Sequence, residues 1–155
     1  MFAVVERTKH LLHELEGMRL RAYDDKTGLP VDPGVLVQGH VSIGYGRCLD
    51  SSGPGVSTDE MDLMLENDII RAHTACLSLV PSFLLLAPHR QVVLLAMAFQ
   101  LGRSGLGGFR KMLAAISAED WPEAERQMLD SVAATQTPRR FERLVSIWRG
   151  EGMIP

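Results

Sequence analysis

Glu16-Gly17-Met18-Arg19-Leu20-Arg21-Ala22-Tyr23-Asp24-Asp25, followed after a loop by Ser42-Ile43-Gly44-Tyr45-Gly46, is the stretch around which the chain is organised. It sets one carboxylate at the end of a predicted helix, a second on a turn nine residues later, and a hydroxyl on a strand beyond. Upstream, Val4, Val5, Thr8, Leu11, Leu12 and Leu15 recur at helical spacing. Gly17 supplies the stop, because glycine takes the left-handed conformation cheaply. Glu16 therefore sits in the last helical turn, where the helix dipole disfavours an anion. A carboxylate there is either tolerated at the surface or held for a purpose.

Past this helix, Arg19 to Tyr23 reads as extended and Asp24-Asp25-Lys26-Thr27-Gly28 as a turn. Leu29 to Gly34, with two prolines, is irregular. Val35 to Val37 and Val41 to Tyr45 flank Gln38-Gly39-His40, a hairpin pattern, so a short antiparallel sheet is expected. Gly44 and Gly46 suggest close approach by another segment or a ligand.

After a turn-rich linker at Asp50 to Gly55, Ser57-Thr58-Asp59-Glu60 forms a capping box. It opens a long helix whose Met61, Met64, Leu65, Ile69, Ala72, Cys76 and Leu79 read as a core stripe, ending before Pro81. Pro88 starts a second helix, apolar nearly all round from Arg90 to Leu101 and closing at Gly102. Gly105 to Gly108 reads as a turn and Phe109 to Ile116 as a short helix. Asp120-Trp121-Pro122-Glu123 caps a helix to about Ser131, and Thr137-Pro138 opens the last, which stops at Gly150.

The chain has 155 residues, 46% hydrophobic and 23% charged, enough for one substantial core or two small lobes. A net charge of −3 and the lack of a basic stripe interleaved with aromatics exclude a nucleic-acid binder. The local cluster Arg139, Arg140, Arg143 and Arg149 reads first as a solvated helix face. The apolar run Val92 to Phe99 is far short of a membrane span, and Met1 to Val5 lacks the long apolar region of an export signal. Cys48 and Cys76 show no CxxC pairing and are expected as free thiols. His10 and His13 share a helix face, but no carboxylate or cysteine completes a metal site with them, so no metal is expected. Gly-x-Ser-x-Gly is absent, which removes a serine-nucleophile elbow.

Glu16, Asp25 and Ser42 together make an inventory for breaking a glycosidic bond. One carboxyl protonates the leaving oxygen, the other manages a water, and a hydroxyl can hold that water. Taken alone, the same three residues read as two solvated carboxylates and a strand serine. Their context decides between the readings. The pattern Glu-Gly-x-Arg-x-x-Ala-Tyr-x-Asp, then Ser-Ile-Gly-Tyr-Gly-Arg, resembles the phage-type lysozymes, the endolysins of glycoside hydrolase family 24. Phe99-Gln100-Leu101-Gly102, Gly107-Gly108-Phe109, Asp120-Trp121 with Glu123-Ala124, and Gln136-Thr137-Pro138 with Arg140 match in order along nearly the whole chain.

The resemblance implies an α+β, lysozyme-like fold. A small N-terminal lobe (17–56) with a short antiparallel sheet joins a connecting helix (57–80) and an all-helical C-terminal lobe (81–155, plus the helix 3–16), all in one domain. It implies Glu16 as catalytic acid, Asp25 as the ionised, water-handling partner and Ser42 in place of the family threonine. Phe99 and Gln100 match groove-wall residues, although Phe99 reads equally as core. Arg140 matches the arginine that pairs with the catalytic glutamate, a structural cleft pair. The implied reaction is inverting hydrolysis of the β-1,4 bond between N-acetylmuramic acid and N-acetylglucosamine in peptidoglycan, without cofactor. The implied setting is a monomer held in the host cytoplasm that reaches the periplasm and wall through holins. Rival readings are a non-catalytic wall-binding phage protein, a chitin-cleaving relative and a lytic transglycosylase.

Three departures from the family pattern stand out. Asp25 and Ser42 are seventeen positions apart, so Lys26 to His40 is an enlarged loop. Serine for threonine keeps the hydroxyl and loses a rotamer-limiting methyl. Arg47 stands where the family's T4 member has histidine, and a pair between Arg47 and Asp68 is expected.

Overall fold

The computed structural model describes Val5, Thr8, Lys9, residues 11–13 and residues 18–151. In the predicted first helix, Val5, Thr8, Lys9 and residues 11–13 are helical, whereas Val4, His10, Leu15, Glu16 and Gly17 lie outside the described residues. Contacts divide the chain into two units, the first ending at Asp62 and the second beginning at Leu63.

In the first unit, β1 (Arg19–Asp24), β2 (Val41–Gly44) and β3 (Arg47–Cys48) form an antiparallel sheet in the order β1-β2-β3. Tyr23 faces Ser42, Asp24 faces Val41, and Ser42 in turn faces Cys48. The expected hairpin between Val35 to Val37 and β2 is therefore replaced, because β2 pairs with β1 and residues 35–37 form no strand. The cause lies at Asp24, whose carboxylate captures the Gln38 and Gly39 N–H groups at 2.8 and 3.0 Å, drawing this part of the loop back over the 24–28 turn. The turn itself forms as read, with the Gly28 N–H donating to Asp24 O at 2.8 Å. Gly44 has φ +65° with open space around its Cβ position, so left-handed backbone, not close approach, calls for glycine there. His13 stacks on Tyr45 in the β2–β3 turn, with centroids 4.5 Å apart and planes 9° from parallel.

Helix α1 (Thr58–Leu79) starts at the predicted capping box: Ser57 N–H donates to Glu60 Oε2 at 2.8 Å, and Glu60 N–H to Ser57 Oγ at 3.4 Å. Its apolar stripe is core only at the C-terminal half. Ala72, Ala75 and Cys76 are buried, whereas Met61, Met64, Leu65 and Ile69 are exposed. Each member of the expected Arg47–Asp68 pair has another partner. Arg47 Nη1 donates to Glu60 Oε1 at 2.5 Å and its Nε to Gly55 O at 2.5 Å, while Asp68 pairs with Arg71 one turn along its own helix.

The second unit holds α2 (Pro88–Gly107), α3 (Arg110–Ser117), α4 (Trp121–Leu129), α5 (Val132–Gln136) and α6 (Pro138–Trp148). Gly102, with φ +68° and ψ 174°, breaks α2 where closure was predicted, but a second helical stretch then continues through Gly105, where a turn was expected. Short α5, capped by Ser131 Oγ accepting from Ala134 N–H, was not foreseen. Phe83, Leu94, Met97, Leu106, Met112, Ile116, Met128, Phe141 and Trp148 are fully buried. Each such side chain contributes about 1.5–3 kcal/mol of burial free energy. Arg90 closes one end of this core, its guanidinium 3.9 Å from the Trp121 ring centroid and 5.6 Å from that of Trp148. Among the described residues no single helix is long and apolar enough to cross a membrane.

Candidate active site

Asp24 and Asp25 are adjacent where β1 ends and the turn begins, yet they differ sharply in burial. Asp24 is 2% exposed and faces Val41. Its carboxylate accepts N–H bonds from Lys26, Gln38 and Gly39. These hold its carboxyl below the usual range, the Gln38 bond most strongly and against the opposing effect of burial. Asp25 is exposed and lies one position beyond the Asp24–Val41 rung, opposite His40, its N–H donating to His40 O at 3.0 Å. In return His40 N–H donates to Asp25 Oδ1 at 2.7 Å. One aspartate is consumed by the loop, and the other presents a tethered carboxylate to solvent.

Gly39 makes this arrangement possible. A Cβ there would lie 2.2 Å from Asp25 Oδ1, 2.7 Å from Lys26 Cβ and 2.9 Å from Asp24 Oδ1. Only a residue without a side chain lets the loop backbone approach both carboxylates. The sequence reading missed both Gly39 and the structural work of Asp24; the consecutive aspartates facing an enlarged loop were the available signal.

Ser42 is 2% exposed, in the middle strand between Tyr23 and Cys48. The β1–β2 register thus brings positions 25 and 42 within two rungs of each other despite their separation in sequence. Glu16 lies outside the described residues. In the second unit Phe99 is 46% exposed, so it is not core, and with Asp68, Arg71 and Arg103 it lines a cavity of about 510 Å³. Gln100 is half-buried, and its Oε1 is buried without a hydrogen-bond partner among the described residues. Arg140 is exposed in the first turn of α6. A larger cavity, about 600 Å³, is lined by Gly108, Phe109, Gln127, Asp130 and Gln136, which joins two of the motifs quoted above.

Behind β3, Asp50 accepts from Ser52 Oγ at 2.6 Å, Ser52 N–H at 2.9 Å, Cys48 Sγ at 3.3 Å and Val41 N–H at 3.2 Å. The Ser52 bonds, hydroxyl first, hold its carboxyl far below the ordinary range. Both cysteines are free thiols, as expected; Cys76 is fully buried, which pushes its thiol up to about 11.

Comparison with known proteins agrees with this architecture. The family model described as phage lysozyme matches residues 13–146. The chain is 28% identical to "Probable T4-type lysozyme 2" of Dictyostelium discoideum, covering 94% of this chain and 95% of that protein. It is 24% identical to "Probable T4-type lysozyme 1" of the same organism, covering 93% and 94%. It is also 28% identical to the pre-baseplate central spike protein Gp5 of Enterobacteria phage T4, covering 88% of this chain but 26% of Gp5. With most of its length matched, sheet and helical units included, the chain belongs to the phage lysozyme family of glycoside hydrolases.

Proposed function

We propose that this lysozyme hydrolyses the β-1,4 bond between N-acetylmuramic acid and N-acetylglucosamine in bacterial peptidoglycan, with inversion at the anomeric carbon. Glu16 enters protonated and donates to the glycosidic oxygen as the bond to the anomeric carbon breaks. Asp25, ionised, removes a proton from a water attacking that carbon from the opposite face, and Ser42 orients that water. Inversion requires the two carboxyl groups about 6.5–9.5 Å apart. The observation that carries this reading is the exposed carboxylate of Asp25, one oxygen bonded to His40 N–H, two rungs along the sheet from Ser42. By the family resemblance, Phe99 and Gln100 contribute to substrate binding and Arg140 has a structural role.

No cofactor takes part. The enzyme acts as a monomer, waits in the host cytoplasm and reaches the periplasm and wall once holins open the inner membrane, so its role is host lysis. The likeness to a phage spike protein favours a second delivery route, as part of a particle rather than as a free cytoplasmic enzyme; immunoblotting of purified particles separates the two. The catalytic reading is tested by Glu16→Gln. The variant should fold and bind sacculi yet cause no turbidity loss of permeabilised cells, with α-anomeric ends appearing first in the wild-type digest by NMR. Normal lysis by the variant would defeat the assignment of Glu16.

A further inference from the structure

The sheet carries a second group of ligating side chains that the reaction above does not use. His40 immediately precedes β2, Cys48 closes β3 and Asp50 follows two residues later. Strand pairing gathers them: Ser42 faces Cys48, Leu49 N–H donates to Val41 O at 2.7 Å, and Val41 N–H donates to Asp50 Oδ2 at 3.2 Å. His40 Nδ1 lies 3.1 Å from Asp50 Oδ2, Cys48 Sγ lies 3.3 Å from Asp50 Oδ1, and one ligand atom from each residue falls within 4.8 Å of the other two.

Ligands at about 2.0–2.3 Å from a tetrahedral ion stand about 3.3–3.7 Å from one another. The two spacings to Asp50, one to each of its oxygens, are already close to those edges. Ser52 marks the remaining corner, its Oγ 2.6 Å from Asp50 Oδ1, 2.9 Å from His40 Nδ1 and 3.4 Å from Cys48 Sγ. A hydroxyl has one proton to give, yet this one stands against all three donor groups at once.

We infer that His40, Cys48 and Asp50 form a site for a zinc-class divalent cation, with the fourth position beside Ser52. The donor set makes the choice of ion: a thiol and an imidazole suit zinc or cobalt, whereas magnesium and calcium demand oxygen ligands. On binding, the Cys48 S–H proton leaves to solvent as the sulfur–metal bond forms. His40 donates its Nδ1 lone pair, keeping its proton on Nε2, and Asp50 binds as the anion. Two ligand charges then balance the ion. Because His40 N–H also holds Asp25, the ion would fasten the enlarged loop and the β2–β3 hairpin to the segment carrying that carboxylate.

The test titrates the reduced, metal-free full chain with Co²⁺ and then Zn²⁺. One Co²⁺ per chain should bind with a thiolate-to-cobalt charge-transfer band, stoichiometric Zn²⁺ should bleach it, and the Tm should rise. Cys48→Ala should abolish the band and His40→Ala should weaken Zn²⁺ binding at least about tenfold. Cys76→Ala should change neither. Circular dichroism verifies that each variant is folded. Absence of saturable Co²⁺ binding by the folded wild type would overturn the inference, as would a band that survives Cys48→Ala or a Zn²⁺ affinity indifferent to His40→Ala.

Discussion

The carboxylates of Asp24 and Asp25, consecutive in the chain, are used in opposite ways: the first is buried under three backbone N–H groups, and the second is exposed and held by the single N–H of His40. The enlarged loop between Lys26 and His40 depends on the first, and access to solvent belongs to the second. Each can therefore be removed separately.

Asp25→Asn keeps one oxygen to accept from His40 N–H and disturbs no buried contact. Its stability should stay within about 0.5 kcal/mol of wild type, as for surface substitutions generally. Its rate of sacculus hydrolysis should fall by at least about a hundredfold, the ordinary worth of a general base. Denaturant unfolding and a reducing-end assay on the same preparation check both halves.

Asp24→Asn should do the reverse, lowering the Tm and loosening residues 26–40 in hydrogen exchange. Because the folded carboxyl titrates below its ordinary 3.8, its contribution to stability is present above that pH and is lost as the pH falls through the lower folded value. The Tm difference between wild type and Asp24→Asn should therefore be full near neutrality and shrink below about pH 4. A constant difference down to strong acid would contradict the hydrogen-bond account.

Gly39→Ala and Gly34→Ala separate steric contact from backbone strain. Gly34 has φ +86° and nothing within 4 Å of its Cβ position, so alanine there costs about 1 kcal/mol of conformational strain and leaves activity intact. At Gly39 the new methyl meets Asp25 Oδ1 and the Asp24–Lys26 turn, so kcat should fall along with the Tm. Equal activity in the two variants would dissociate the loop from Asp25.

Much of the helical frame was legible because its signals are local. The Ser57–Glu60 box, Asp120 capping Glu123 N–H and the Gly150 stop each depend on residues within one turn. The sheet was read only in part. Val35 to Val37 has the composition of a strand, yet Gln38 and Gly39 give their N–H groups to an aspartate 14 and 15 positions upstream, a competitor no local pattern announces. Arg47 was matched to Asp68 by family position, whereas Glu60, already fixed by its capping role, offers a preorganised acceptor. The roles of Asp25 and Ser42 came from motif, and the register that sets them two rungs apart came only with the structure.

The Arg47–Glu60 contact is open to a double-mutant cycle. Arg47→Ala and Glu60→Ala should couple in stability, while Arg47→Ala and Asp68→Ala should add independently. Coupling confined to the second pair would restore the original expectation.

Cys76 should resist thiol reagents in the native state, since burial leaves it protonated up to about pH 11. Its raised value makes its contribution full below pH 9.0, the unfolded value, and lost as the pH climbs through about 11. Ellman titration should find the second thiol only after denaturant is added.

The central claim is hydrolysis by an acid paired with a water-handling aspartate, and mass spectrometry of digested sacculi tests it most directly. Wild type should release muropeptides ending in reducing N-acetylmuramic acid, one water heavier than the anhydro form, and Asp25→Asn should release almost none. Anhydromuramic products, or undiminished release by Asp25→Asn, would contradict the account.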